Sequence, residues 1–101
     1  MRVYISGPIT GHEDYMLNFK DAETYLTEQG YIVFNPAAVN SQMPTDTTYD
    51  EYMQIAMTML AMCDAIYLLE GWEQSCGANR EYGYALAKGM KIIREVEECR
   101  L

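Results

Sequence analysis

Apolar residues recur along this chain in two alternating rhythms. Short runs rich in β-formers, Arg2–Ser6, Tyr31–Phe34, Ala65–Leu69 and Lys91–Ile93, have the length and unbroken apolar character of buried parallel strands. Between them the spacing widens to that of helices. From about Asp14 to Gln29 the apolar positions are Leu17, Ala22, Tyr25 and Leu26, with Phe19 beside them, and Gly30 stops the segment. A second helical stretch runs from about Tyr49 to Met62, and a third from about Ala78 to Lys88, ending at Gly89. The order β-α-β-α-β-α-β predicts an α/β fold built around a small parallel sheet, with right-handed crossovers.

Two segments depart from that rhythm. Asn35-Pro36 stops the second strand, and residues 37–48 read as one long irregular stretch, expected to cover a pocket. Glu95 to Leu101 reads as a frayed, charged end. The second helix is also unusually apolar. Met53, Ala56, Met57, Leu60 and Cys63 form one stripe, and Ile55, Met59 and Met62 widen it beyond a normal core-facing side. Burial on two sides predicts a homodimer or higher homo-oligomer through the helix Met53 to Cys63. The rival reading is that methionine fills an irregular core.

Composition narrows the class. The 101 residues are expected to form one domain over 1–101, half of them hydrophobic and 22% charged. A formal net charge of −8 argues against a nucleic-acid polymer as partner. It leaves room for a small anion, which backbone N–H groups at a helix start bind without lysines. No apolar run suits a signal peptide or a membrane span. The cysteines Cys63, Cys76 and Cys99 lack metal-ligand spacing, which predicts reduced thiols in a cytoplasm, no metal and no cofactor. His12 is the sole histidine, which disfavours a histidine-centred triad.

The candidate site follows from topology. With strand order 2-1-3-4, the crevice beyond the carboxyl ends of the strands lies between strands one and three. Gly7 to Gly11 and Glu70 to Gly77, the two most irregular glycine-bearing loops, would line it. Glu81 would sit about one turn inside the following helix, where the positive end of the helix favours its ionised form. Gly83 would let that helix lie close to the sheet. Carboxylates with hydroxyls from Ser75, Ser6 and Tyr4 suit attack at an acetal-like carbon, as in glycosyl transfer.

Those residues also carry a resemblance. Tyr4-Ile5-Ser6-Gly7-Pro8-Ile9-Thr10-Gly11, Cys63-Asp64-Ala65-Ile66 and Gly71-Trp72-Glu73-x-Ser75-x-Gly77-Ala78-x-x-Glu81 resemble the nucleoside 2-deoxyribosyltransferase superfamily, in particular its short branch, known as a domain of unknown function. The resemblance covers nearly the whole chain, most specifically at Ser-x-Gly-x-x-x-Glu-x-Gly. It implies a flavodoxin-like or Rossmann-like three-layer fold, a nucleoside or nucleotide ligand and subunits that complete one another's pockets. It implies cleavage or exchange of the N-glycosidic bond of a 2′-deoxynucleoside or its monophosphate. Glu81 falls on the nucleophile and Tyr4 on the tyrosine that orients it. Ser6, Gly7, Pro8, Ile9, Thr10, Glu70, Trp72, Ser75, Gly77 and Ala78 fall on the substrate-binding loops, Ser75 at the sugar's 5′ end.

Two positions depart from the pattern. The family's acid falls on Ala56, and the nearest polar residues, Asp50 and Tyr52, are expected on another face of the helix. Thr10 stands where the monophosphate enzymes carry a phosphate-binding arginine. Three readings therefore remain open: an enzyme using Glu81, a nucleotide-binding protein without turnover, and a structural homo-oligomer.

Overall fold

The computed structural model describes residues 1–96. Four strands, β1 (Arg2–Ser6), β2 (Ile32–Phe34), β3 (Ala65–Leu68) and β4 (Lys91–Arg94), form a parallel sheet in the order β2-β1-β3-β4. The helices are α1 (Tyr15–Glu28), α2 (Pro36–Asn40), α3 (Tyr49–Ala61) and α4 (Cys76–Lys88), with one 3₁₀ turn at Trp72–Gln74. The predicted α/β class, its strand order and its three layers are all present.

The period-2 alternation of β1 builds the layers. Val3 and Ile5 point to one face, into a cluster with Phe19, Ala22 and Leu26 of α1 and Ala37 of α2. Tyr4 points to the other, among Ala56, Met59 and Leu60 of α3 and Ala85 of α4. In register, Val3 pairs with both Val33 and Ala65, so β1 is a central strand hydrogen-bonded on both edges. Among the described residues no helix is long and apolar enough to cross a membrane.

Three expectations are corrected. Residues 37–48 are not wholly irregular, because Asn35 caps α2, accepting from the Ala37 and Ala38 N–H groups, with Pro36 at the helix start. The Asn-Pro pair that ends the strand is therefore also a helix-start signal. Gly83 does not seat α4 on the sheet, since a Cβ there would meet nothing within 4 Å. That close approach belongs to Gly7, where a Cβ would lie 2.7 Å from Leu69 Cβ. The charged end is anchored at its first residue. Glu95 N–H donates to the Leu68 carbonyl, and its carboxylate accepts from the Glu70 N–H at 2.8 Å. From residue 97 onward that segment lies outside the described residues, Cys99 included.

The excess apolar face of α3 has a partial explanation within the chain. Ala56, Met59 and Leu60 are buried against the sheet, and Ile55, Met57 and Cys63 pack partly against the same cluster. Met62 and Tyr49 remain exposed at the two ends.

Candidate active site

The site forms where α4 crosses the carboxyl end of β1. Ala78, Glu81 and Ala85 are the buried residues of α4, at helical spacing on one face. Methyl groups on either side of Glu81 let that face lie close to the sheet and bring its carboxylate to the strand. From β1, Tyr4 and Ser6 share a face because they are two residues apart. Tyr4 OH donates to Glu81 Oε2 at 2.6 Å, and Ser6 Oγ donates to Oε1 at 2.5 Å. Each carboxylate oxygen thus has its own hydroxyl.

The electrostatics differ from the helix-end expectation. Helix α4 begins at Cys76, which puts Glu81 past the first turn, where the field of the helix end has faded. With only 7% of its surface exposed, burial dominates and pushes the carboxyl group up to about 6, while the Ser6 and Tyr4 hydroxyls pull the other way. Burial, then the facing Glu81 charge, raises the Tyr4 phenol well above its ordinary value, so Tyr4 remains a donor at neutral pH.

Glu81 lines a cleft of about 790 Å³. One wall is Tyr4 to Thr10, and another is the start of α4 with Gln74, Ser75, Cys76, Gly77 and Ala78. The cleft lies beyond the carboxyl end of β1, but no residue of β3 and none of residues 70–73 lines it; α1, α2 and α3 supply the remaining wall in place of the expected edge at β3. Ser75 caps α4, accepting from the Ala78 N–H at 3.1 Å, and its own proton stays free to donate. The N–H groups of Cys76 and Gly77 belong to the first helical turn, which has no partners within the helix. Gly77 is small for a reason: a Cβ there would sit 3.3 Å from Met53 Sδ and 3.5 Å from the Tyr49 hydroxyl.

Of the candidate residues, Tyr4, Ser6, Gly7, Pro8, Ile9, Thr10, Ser75, Gly77, Ala78 and Glu81 all line this cleft. Glu70 and Trp72 do not. Glu70 is exposed, its N–H held by Glu95. The Trp72 ring packs on Tyr82 of α4 at 4.7 Å between centroids, because the turn after Gly71 (φ 85°) lays it against the cluster around Tyr4 and outside the cleft.

Other lining residues escaped the sequence reading. Tyr52 lines the cleft together with Ala56, correcting its expected placement on another face. Four residues is close to one full helical turn, so the two share a side. Asp50 does not line it. Asn40, the last residue of α2, also lines the cleft, and its Oδ1 is buried with no hydrogen-bond partner. The capping signal at Asn35-Pro36 would have put Asn40 on an ordered helix. Arg80 lines the cleft beside Tyr49, its guanidinium 5.5 Å from the ring centroid. Among the described lining residues Glu81 is the sole carboxylate.

A family model for a domain of unknown function, DUF4406, matches residues 1–94, and the chain belongs to that family. Among solved structures, a 2-deoxyribosyltransferase from the psychrotolerant bacterium Bacillus psychrosaccharolyticus has the same fold, with a TM-score of 0.75 at 15% identity. The match covers 100% of this chain and 77% of that one. No curated protein sequence matches the chain.

Proposed function

We propose that this protein cleaves or transfers the N-glycosidic bond of a 2′-deoxynucleoside or its monophosphate, with Glu81 as the nucleophile. The observation that carries this reading is a buried carboxylate on a cleft wall with one hydroxyl donor on each oxygen. The fold it shares with a 2-deoxyribosyltransferase supports it, and the cleft is of the size that takes a small-molecule ligand.

In this mechanism a Glu81 oxygen attacks C1′ from the face opposite the base. The C1′–N bond breaks, its electron pair leaves with the base, and a deoxyribosyl ester forms. Water or a second base then attacks C1′, and two inversions give net retention. Tyr4 orients the carboxylate. Ser75, Gly77 and Ala78 meet the 5′ end of the sugar, where Arg80 adds a cation. Gly7 to Thr10 pass along the sugar, and the Asn40 carboxamide offers the base a polar partner. The protein acts in the cytoplasm as a homo-oligomer through α3, a state that sedimentation measures.

One observation favours a second reading, a nucleotide-binding protein without turnover. With Ala56 on the wall and no second carboxylate among the described lining residues, the departing base takes its proton from water. Loss of a general acid costs on the order of 10²–10⁴ in rate. Incubation with each deoxynucleoside and deoxynucleoside monophosphate, followed by chromatography for free base, separates the two. Free base from the wild type but not from Glu81→Gln supports catalysis. Thermal stabilisation by a nucleotide with no free base from any substrate supports binding alone.

A further inference from the structure

Ser6 closes β1 with 1% of its surface exposed, and its hydroxyl is directed at Glu81 Oε1. Tyr4, packed at 0% exposure, already fixes the orientation of the carboxylate through Oε2. A second buried hydroxyl on the opposite oxygen is more than orientation requires. We propose that Ser6 is a positioning residue for the release of the sugar, holding the Glu81 carboxyl group so that it departs readily from C1′. This rests on the glycosyl-transfer reading above.

Two donors act differently on the two halves of the reaction. Before attack they stabilise the carboxylate and so weaken it as a nucleophile. In the ester, one Glu81 oxygen is bound to C1′ and the other is a carbonyl oxygen. When that C1′–O bond breaks, its electron pair returns to Glu81 and negative charge spreads over both oxygens. Donors already in place meet that charge without reorganisation. The oxygen of the incoming water bonds to C1′, and the proton it loses goes to solvent. Removing one donor therefore leaves a more basic carboxylate, which is a poorer leaving group.

The other titratable groups on the cleft are His12 from the β1–α1 loop, Tyr15 from α1, Tyr49 and Tyr52 from α3, and Cys76 and Arg80 from α4. The hydrogen bonds of the Glu81 carboxylate among the described residues run to Tyr4 and Ser6 alone. The effect of Ser6 is thus separable from theirs.

The test compares wild type, Ser6→Ala and Ser6→Thr. The carboxyl carbon of Glu81, assigned by its loss in Glu81→Gln, is titrated by ¹³C NMR. Ser6→Ala moves the midpoint up by about 1 pH unit from its value of about 6, and Ser6→Thr, which keeps the hydroxyl, restores it. Coincident midpoints in wild type and Ser6→Ala overturn the proposal. Each protein is then mixed with deoxynucleosides at a pH where Glu81 is ionised, and the deoxyribosyl adduct is followed by intact-protein mass spectrometry. Several-fold slower decay of the adduct in Ser6→Ala once the substrate is removed supports the release role, and equal decay overturns it. A shifted midpoint with no adduct and no free base in any protein supports the hold of Ser6 on Glu81. That result overturns the glycosyl-transfer reading.

Discussion

Glu81 is held at a cost that its protonation removes. Its carboxyl group lies at about 6 in the folded protein against an ordinary 4.5. Between those values the folded chain keeps a proton that the unfolded chain has released. Stability therefore falls as pH rises through that window and stays lower above it, by about 2 kcal/mol. Glu81→Gln keeps the shape and removes the charge, and the two facing hydroxyls can rotate to serve the amide. We expect the variant to be more stable than wild type by about 2 kcal/mol at about pH 8, and close to it at about pH 4.5. Urea unfolding at the two pH values checks this, and an equal difference at both would assign the effect to packing. Activity, if Glu81 is the nucleophile, is lost in the same variant. The wild type's activity should fall as pH drops through about 6, as the carboxylate takes up its proton.

At the scale of elements, two glycines give opposite expectations. A methyl group at Gly7 would press on Leu69 Cβ, which cannot rotate away, so Gly7→Ala should destabilise by about 1–3 kcal/mol. Gly83 lies exposed inside α4 with open space where a Cβ would go, and Gly83→Ala should stabilise by about 0.5–1 kcal/mol. Denaturant midpoints of the two variants should move in opposite directions. The same pair marks how far the elements were legible. The four strands and the helices α1, α3 and α4 follow from the spacing of apolar residues, because each element buries a distinct face, and the strand order follows from the doubly wound topology that alternating strands and helices favour. Which glycine marks a close approach does not, since it depends on a neighbour far along the chain, Leu69. Helix α2 was legible in Asn35-Pro36 but masked by the other role of that pair, ending β2. Glu81 and Tyr4 stood out through their motif. The Ser6 hydroxyl reaches Glu81 only because β1 alternates and α4 presents Ala78, Glu81 and Ala85 together. Glu70 and Trp72 left the site because the Gly71 turn directs its neighbours elsewhere.

For the whole molecule, charge sets the main expectation. The chain carries a formal net charge of −8. Among the described residues the one ion pair is Lys20–Glu23 at 3.9 Å, on the surface. Self-repulsion is therefore little offset by pairing. Raising salt from ~0.01 M to ~0.15 M shortens the screening length from ~30 Å to ~8 Å, and Tm should rise over that range. A flat or falling Tm would show that repulsion is not a material cost. The central position of β1 has a consequence of its own. Strand amides bonded on both edges exchange with deuterated solvent only in the deepest openings of a fold, whereas a short capped helix such as α2 opens readily. Tyr4 and Ser6 thus sit on the slowest-breathing part of the molecule, and Asn40 on a fast one. The cleft should loosen from its rim while its floor keeps the Glu81 carboxylate in register, admitting a ligand without unsettling the group that meets it.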